Sequence, residues 1–206
     1  MPPFEIPESL QAYFTDKKIR SVVDSLASVL DDPSFPDMNR EKLMSLNEGV
    51  VLACQVRADY VRFMADIWAH TFGFALEGSN LEVTLPENCT IKEVWSERYF
   101  WSYVSTDPNL EAHHFELTVN IDDRSNEITL RIWHYDDNDE FVDFAPRLRI
   151  PEDWRRVNGE DSIQRIEART KVTVSELLCN PERGIFTLHS AAVTAVEFVG
   201  RRLNPR

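Results

Sequence analysis

The sequence has few cysteines, few glycines and no long apolar run. Its three cysteines, Cys54, Cys89 and Cys179, are an odd number and lie far apart. They form no C-x-x-C spacing, so they indicate neither a disulfide framework nor a zinc knuckle. No stretch approaches the roughly 20 apolar residues of a membrane-spanning helix, and the first residues lack the basic and then apolar layout of a signal peptide. We therefore expect a soluble, cytoplasmic protein without a membrane partner.

The common sequence motifs of catalysis are also missing. There is no G-x-S-x-G elbow, no glycine-rich phosphate loop and no H-E-x-x-H, which are the patterns that place a nucleophile, a phosphate or a zinc ion. Cys54 falls on an apolar helical stripe and is predicted to be packed, while Cys89 and Cys179 lie beside turns without a local histidine. The sequence favours a protein that is not an enzyme and predicts no cofactor.

Negative charge exceeds positive charge by a wide margin. The chain has 206 residues, with 35 Asp and Glu against 22 Lys and Arg, so its formal net charge is −13. A basic surface is the usual electrostatic requirement for nucleic-acid binding, so this balance argues against a direct nucleic-acid partner. The hydrophobic content of 43% is enough for a substantial core at this length.

The first third of the chain has helical periodicity. Apolar residues recur every three or four positions between Ile19 and Leu30, so a helix capped by Thr15 is predicted there. Asn39 is a plausible N-cap for a longer, central helix that continues to Gly73, with Gly49 as a candidate break.

From Leu81 onward the apolar period changes to two. The clearest pattern is at 115–121 and 128–134, where apolar residues alternate on both sides of a polar turn, which predicts an antiparallel hairpin with one apolar face. After Glu97 an aromatic-rich stretch is also predicted to be a strand. A third strand over 141–150 completes the expected β-meander.

The C-terminal third carries weaker signals. Its first segment, 151–157, begins with Pro and two acids and is predicted to be a short helix. A strand is expected over 166–174, followed by one helical turn over 175–179. The β-branched content of 185–188 and 193–199 favours two further strands, with a helix that begins at 190–192 as the alternative.

These elements predict an α+β fold in which N-terminal helices, one of them long and central, pack on a mainly antiparallel β-meander sheet. No linker rich in Gly, Ser or Pro divides the chain, so a single domain over 1–206 is expected. The alternative is a helical subdomain over 1–75 followed by a β-rich part over 81–206.

Acidic residues cluster in the turns of the predicted meander. Five carboxylates occur within eight residues after the hairpin, and the hairpin turn adds two adjacent aspartates. Carboxylates two residues apart on a strand are separated by about 6.6 Å, roughly twice the 3.4 Å charge spacing of one DNA strand. Such a surface is typical of a solubilising face, of a docking site for a basic partner or of nucleic-acid mimicry. Arg147, Arg149, Arg155 and Arg156 are expected to neutralise part of it.

Two aromatic residues of the hairpin add to this surface. Trp133 and Tyr135 fall on the strand face opposite Ile132 and His134. If no other element covers them, an exposed Trp and Tyr beside carboxylates have the composition of an interface hot spot. The alternative is that another layer of the fold buries them.

The leading hypothesis is therefore a non-enzymatic acidic protein that binds and inhibits or neutralises a basic protein or protein complex. Immunity proteins and phage-type inhibitors of nucleic-acid-handling machines have this character, and homodimerisation through the aromatic face is a third possibility. The predicted partner-binding residues are Asp122, Asp123, Trp133, Tyr135, Asp136, Asp137, Asp139, Glu140 and Asp143.

The alternative is a metal-dependent hydrolase or nuclease that uses His134, Asp136 and either His113 or His114. Adjacent strand residues point to opposite faces, so His113 and His114 are not expected to bind one ion together. The acidic run at 136–140 also lacks the glycine and the distal glutamate of an EF-hand loop. The leading hypothesis predicts no metal site.

Overall fold

The computed structural model describes residues 3–31, 40–87, 89–106, 113–135, 140, 142, 149–158 and 164–203, with the side chains of all of these except 30, 40–48 and 164. The fold is α+β, as predicted, with helices packed on an antiparallel sheet. The chain divides into two compact units, one over Glu5–Phe63 and the other over Met64–Arg206 together with Met1–Phe4.

The first unit is helical. It contains α1 (Glu8–Thr15), α2 (Lys17–Leu30) and the larger part of α3 (Arg40–Trp68). The N-cap of α2 is Asp16 and not the predicted Thr15, because the Asp16 carboxylate accepts hydrogen bonds from the backbone N–H of Lys18 at 2.7 Å and of Ile19 at 3.4 Å. The predicted helix over 19–30 is confirmed.

The long helix is also confirmed, but it has no break at Gly49. Helix α3 runs without interruption through that position. A Cβ atom added to Gly49 would lie 3.0 Å from Cδ1 of Leu26 on α2. Glycine is therefore the residue that lets the two helices approach closely, although it weakens the helix itself.

The second unit contains the sheet, in which the described residues form seven strands: β1 (Glu82–Thr84), β2 (Tyr99–Ser105), β3 (His114–Ile121), β4 (Glu127–Tyr135), β5 (Trp154–Asn158), β6 (Gln164–Ala168) and β7 (Val172–Thr173). The strand order is β1-β2-β3-β4-β6-β5, and β7 pairs with β4. The predicted β3–β4 hairpin is confirmed, with Ile121 opposite Ile128.

Helices cover the apolar face of this sheet. The end of α3 continues as a π-helical turn (Ala69–Gly73) and α4 (Phe74–Leu76), α5 (Ile91–Glu97) precedes β2, and α6 (Val174–Cys179) leads into α7 (Pro181–Leu203). The indole N–H of Trp68 donates to the Leu117 carbonyl at 3.0 Å, and that of Trp154 donates to the Ala191 carbonyl at 3.2 Å. These buried hydrogen bonds fix both helices against the strands.

Two predictions for the C-terminal third were wrong. The strands expected over 185–188 and 193–199 are one helix, α7, because Ile185, Leu188, Ala192, Ala195 and Val199 recur every three or four residues and are all buried. That period outweighs their β-branched content. The helix begins with Pro181, where a missing N–H costs nothing.

The helix expected over 151–157 was the second error. Pro151 opens a turn in which its carbonyl accepts a hydrogen bond from the Trp154 N–H at 3.1 Å, and Trp154 then begins strand β5. The predicted helical turn at 175–179 is confirmed as α6, but the strand expected over 166–174 is divided between β6 and β7. The third strand expected over 141–150 lies mostly outside the described residues. Among the helices of the described chain, none has the length and apolar character needed to cross a membrane.

Gly184 gives a direct test of the packing between α6 and α7. An alanine Cβ at this position would overlap Cδ2 of the buried Leu177 and lie 3.4 Å from Cγ1 of Val172. Helix propensity favours alanine by about 1 kcal/mol, but overpacking of this kind costs typically about 1–3 kcal/mol. We expect Gly184→Ala to lower the free energy of unfolding measured by denaturant titration.

Gly200 in the same helix is the matched control. An added Cβ there has its nearest neighbour at 4.0 Å, on Leu81. Gly200→Ala is expected to leave the stability unchanged or to raise it by up to about 1 kcal/mol. Equal stability of the two variants would contradict the packing described for Gly184.

Candidate functional site

The hairpin has a second face, opposite the apolar core, that carries polar and aromatic side chains. Strand alternation and the observed register define this face, which we call the polar face. Its members are Tyr99, Trp101, Tyr103, His114, Glu116, Thr118, Asn120, Arg131, Trp133, Tyr135, Arg155, Arg165 and Glu167. Every residue of β3 is buried, so its polar side chains are enclosed as fully as its apolar ones.

Glu116 lies at the centre of this face and is only 8% exposed. Its Oε1 accepts a hydrogen bond from the Thr118 hydroxyl at 2.8 Å, and its Oε2 accepts one from the Tyr135 hydroxyl at 2.9 Å. Burial raises the pKa of Glu116 above its ordinary value, and the two hydrogen bonds offset only part of that effect. The site thus contains a carboxyl group that binds a proton more readily than a surface glutamate does.

Aromatic rings surround this carboxyl group. The His114 ring stacks on the Tyr135 ring with centroids 5.1 Å apart, and Tyr103 meets both rings edge-on. Burial, together with the charge of Glu116, raises the pKa of Tyr99 to about 12 and raises the pKa of Tyr135 as well. These phenols therefore remain protonated hydrogen-bond donors at neutral pH.

Three arginines meet at a second buried carboxylate of the polar face. Glu167 is 5% exposed, and its oxygens lie 2.9 Å from Nε of Arg165, 3.1 Å from Nε of Arg131 and 3.3 Å from a terminal nitrogen of Arg155. The strand register explains this arrangement, because Arg131 and Arg155 lie opposite Glu167 on the two neighbouring strands. Arg155 therefore pairs with Glu167, while most of the acidic run at 136–143 lies outside the described residues.

The two predicted aromatic residues belong to this polar face and are half-buried. Tyr135 donates its hydroxyl hydrogen bond to Glu116, and the Arg165 guanidinium lies 5.1 Å from the centroid of the Trp133 ring. Both side chains are thus partly covered by contacts within the chain, and their role as partner-binding residues stays a prediction.

The hairpin turn holds two of the predicted carboxylates. The Asp122 carboxylate accepts hydrogen bonds from the Ser125 N–H at 2.7 Å, the Ser125 hydroxyl at 2.8 Å and the Arg124 N–H at 3.0 Å. These bonds lower the pKa of Asp122, with those from Ser125 contributing most. Asp123 keeps 59% of its side chain exposed and lies 3.1 Å from Nε of Arg98.

The turn and Tyr135 lie at opposite ends of the hairpin. Strand β4 has nine residues, which at about 3.3 Å per residue separates its ends by about 26 Å. Asp122 and Asp123 are thus not brought together with Tyr135. Glu140 is exposed, and the remaining predicted residues, Asp136, Asp137, Asp139 and Asp143, lie outside the described residues.

The histidines of the alternative hypothesis are divided between two faces, as the strand alternation indicated. The His113 and His134 rings have centroids 5.3 Å apart, and His134 stacks on Phe115, whereas His114 belongs to the polar face. Asp136 lies outside the described residues. Within the part of the chain that is described, no group of three or more His, Cys, Asp or Glu side chains is placed to hold a metal ion.

The burial of one of the three cysteines differs from the prediction. Cys54 is exposed and not packed, because the buried positions of that helix are Ala53 and Val56. Cys89 is half-buried, and burial raises the pKa of its thiol, which makes it less reactive. Cys179 is exposed.

Sequence reasoning missed the central residues of the polar face, Glu116, Arg131, Arg165 and Glu167. A signal was present for the first, because His114, Glu116, Thr118 and Asn120 alternate as regularly as the apolar residues between them. The convergence on Glu167 depends on pairing among β4, β5 and β6, which no local pattern reveals.

Glu116 predicts a pH dependence of stability. Its pKa in the folded chain is above the ordinary value of 4.5, so folding takes up a proton and the free energy of unfolding falls as pH rises from about 4.5 through the raised pKa. Because glutamine does not ionise, Glu116→Gln removes this loss of stability at higher pH, and it keeps the shape of the side chain. We expect the difference in Tm, variant minus wild type, to increase with pH in thermal denaturation between about pH 4 and pH 8.

Tyr135→Phe is a second variant, for which we expect the difference in Tm to change with pH in the opposite direction. It removes a hydrogen-bond donor that favours the ionised carboxylate, so the pKa of Glu116 rises further and the difference in Tm becomes more negative with pH. If the difference in Tm between variant and wild type stays constant across this pH range for both variants, the assignment of a raised pKa to Glu116 is contradicted.

The chain was compared with protein-family models, with curated proteins and with solved structures, and none of the three comparisons gives a significant match.

Proposed function

We propose that this chain is a non-enzymatic binding protein that captures a basic macromolecular partner through acidic residues at the ends of the β3–β4 hairpin. The observation that carries the proposal is a rigid turn with two exposed carboxylates, Asp122 and Asp123, in a chain of net charge −13. A basic protein or complex is the partner class that such a charge attracts.

The rigidity of the turn supports binding. Asp122 is held by three hydrogen bonds from its own turn, and Asn126 adopts a left-handed conformation with φ of 53° that closes it. A turn that is already ordered loses little conformational entropy when a partner binds. The lowered pKa of Asp122 also keeps its carboxylate charged under mildly acidic conditions.

Neighbouring groups extend the acidic surface. Glu97, at the end of α5, is exposed, and the following residue, Arg98, reaches Asp123. Arg98 also lies 4.2 Å from the centroid of the Trp95 ring. Arg98 thereby links α5 to the turn, so the carboxylates of Glu97, Asp122 and Asp123 belong to one end of the sheet.

The proposed role is inhibition or neutralisation, as in an immunity protein or a phage-type inhibitor of a nucleic-acid-handling machine. Exposed carboxylates accelerate encounter with a basic cleft and fix the register of the complex. The acidic run at 136–143 would add five carboxylates to the same chain.

The test is affinity capture from a lysate of the source cells with four tagged proteins. The first is the wild type. The second carries Lys at Asp136, Asp137, Asp139 and Glu140, and the third carries Lys at Glu97 and Asp123. The matched control carries Lys at four exposed acids elsewhere, which are Glu77, Glu87, Glu152 and Glu197.

We expect the wild type and the control to retain the same basic protein at low salt. At about 0.5 M salt, where exposed charges are screened within a few Å, that protein is released. At least one of the two hairpin variants loses it, with slower association when the purified partner is used. Retention of identical proteins by all four, or of none by the wild type, would overturn the proposal.

A further inference from the structure

The arginines around Glu167 carry more positive charge than their partner can neutralise. Three guanidinium groups and one carboxylate leave a local charge of +2. Glu167 is the one carboxylate within ion-pair distance of them among the described residues. In a chain with 13 more acids than bases, this excess does not follow from composition.

The arginines also retain hydrogen-bonding capacity. The Nε–H of Arg165 donates to Oε1 of Glu167, the Nε of Arg131 lies 3.1 Å from the same oxygen without a hydrogen bond, and Arg155 donates from one terminal nitrogen to Oε2. A guanidinium has five N–H donors. Within the described residues, the terminal nitrogens of Arg131 and Arg165 donate no hydrogen bond, and these side chains remain 24% and 17% exposed.

The geometry places these donors in one area of the polar face. Arg131, Glu167 and Arg155 lie side by side on β4, β6 and β5, with neighbouring strands about 4.8 Å apart. Arg165 lies two residues from Glu167 on the same face, and the Trp133 ring, 5.1 Å away, holds its guanidinium. Arg165 is therefore held in place by Glu167 and Trp133 before any ligand arrives.

Repulsion between the arginines is a cost that an anion would relieve. Burial, and after it the nearby charge of Arg165, lower the pKa of Arg131, while Glu167 opposes this lowering. An anion seated among the three groups would remove this repulsion and use the remaining donors.

We propose that Arg131, Arg155 and Arg165 form a binding site for the phosphoryl group of a small phosphorylated molecule. A phosphate monoester carries close to two negative charges, which matches the local +2, and its three oxygens suit donors from three directions. A carboxylate ligand has one charge and would leave part of the local +2 uncompensated. The site is independent of the acidic turn.

The first test is titration of the full chain with methyl phosphate and with inorganic phosphate, followed by calorimetry and by NMR of the arginine Nε–H groups at constant ionic strength. Acetate and chloride are the comparison anions. We expect saturable binding of methyl phosphate, of inorganic phosphate or of both, with shifts of the Arg131 and Arg165 signals. Preference for one of the two phosphates tells a phosphoester ligand from free phosphate.

The second test uses Arg155→Gln, because Arg155 is 54% exposed on the edge strand β5 and its loss leaves Glu167 two partners. Removal of a charged donor is expected to weaken phosphate binding roughly tenfold or more. Arg202→Gln is the control. Arg202 is exposed and lines a separate cavity of about 580 Å³ with Arg149 and Arg201.

Three results would overturn this site. The first is the lack of saturable phosphate binding by the wild type up to about 10 mM. The second is acetate binding as tight as phosphate binding. The third is loss of phosphate binding in Arg202→Gln and not in Arg155→Gln, which would place the anion in the cavity near the end of α7. The NMR shifts of the wild type give an answer even if a variant does not fold.

Discussion

Both faces of strand β3 are buried, and this constraint determines the chemistry of the sheet. An apolar strand face is stabilised by burial alone, but a buried polar face requires a partner for each donor and acceptor. Glu116 obtains its partners from Thr118 and Tyr135 on the same face. On the apolar side, the Leu117 carbonyl accepts from Trp68 as well as taking part in the sheet. The central strand thus fixes the position of the α3 terminus and of the polar face together.

The two buried glutamates of this face have opposite surroundings. Glu116 is bonded to neutral hydroxyl groups, so burial dominates and its pKa rises. Glu167 has three guanidinium groups around it, and its charge is compensated more than fully. Two residues of the same type, on the two strands that flank β4, are therefore one carboxyl group with a raised pKa and one carboxyl group surrounded by positive charge. Environment, and not residue type, sets the electrostatic role of each carboxyl group.

The sequence predicted the parts of the fold that depend on local period. The helix over 19–30, the long helix and the β3–β4 hairpin each repeat one apolar spacing over enough residues to be decisive. Helix α7 was taken for strands because Val193, Val196 and Val199 favour β-structure, although their spacing of three is helical. The candidate site was harder to predict from the sequence than these elements were. Tyr135 and Trp133 were placed on the correct face, but their contacts with Glu116 and Arg165 require strand partners more than 15 residues away in the chain.

The chain is acidic overall but contains a compact cluster of three arginines, and these opposite charges lie in different parts of the sheet. The hairpin turn is about four residues along β4 from Arg131, which corresponds to about 13 Å. At physiological ionic strength charges are screened over about 8 Å, so the turn carboxylates oppose an anion near Arg131 only weakly. Asp122 still opposes, by a small amount, the lowering of the Arg131 pKa that burial and Arg165 cause. An anion would be attracted by contact with the arginines and not by long-range steering, whereas a basic protein would be steered toward the turn. The distance between the turn and the arginines is therefore compatible with the two proposed sites acting separately.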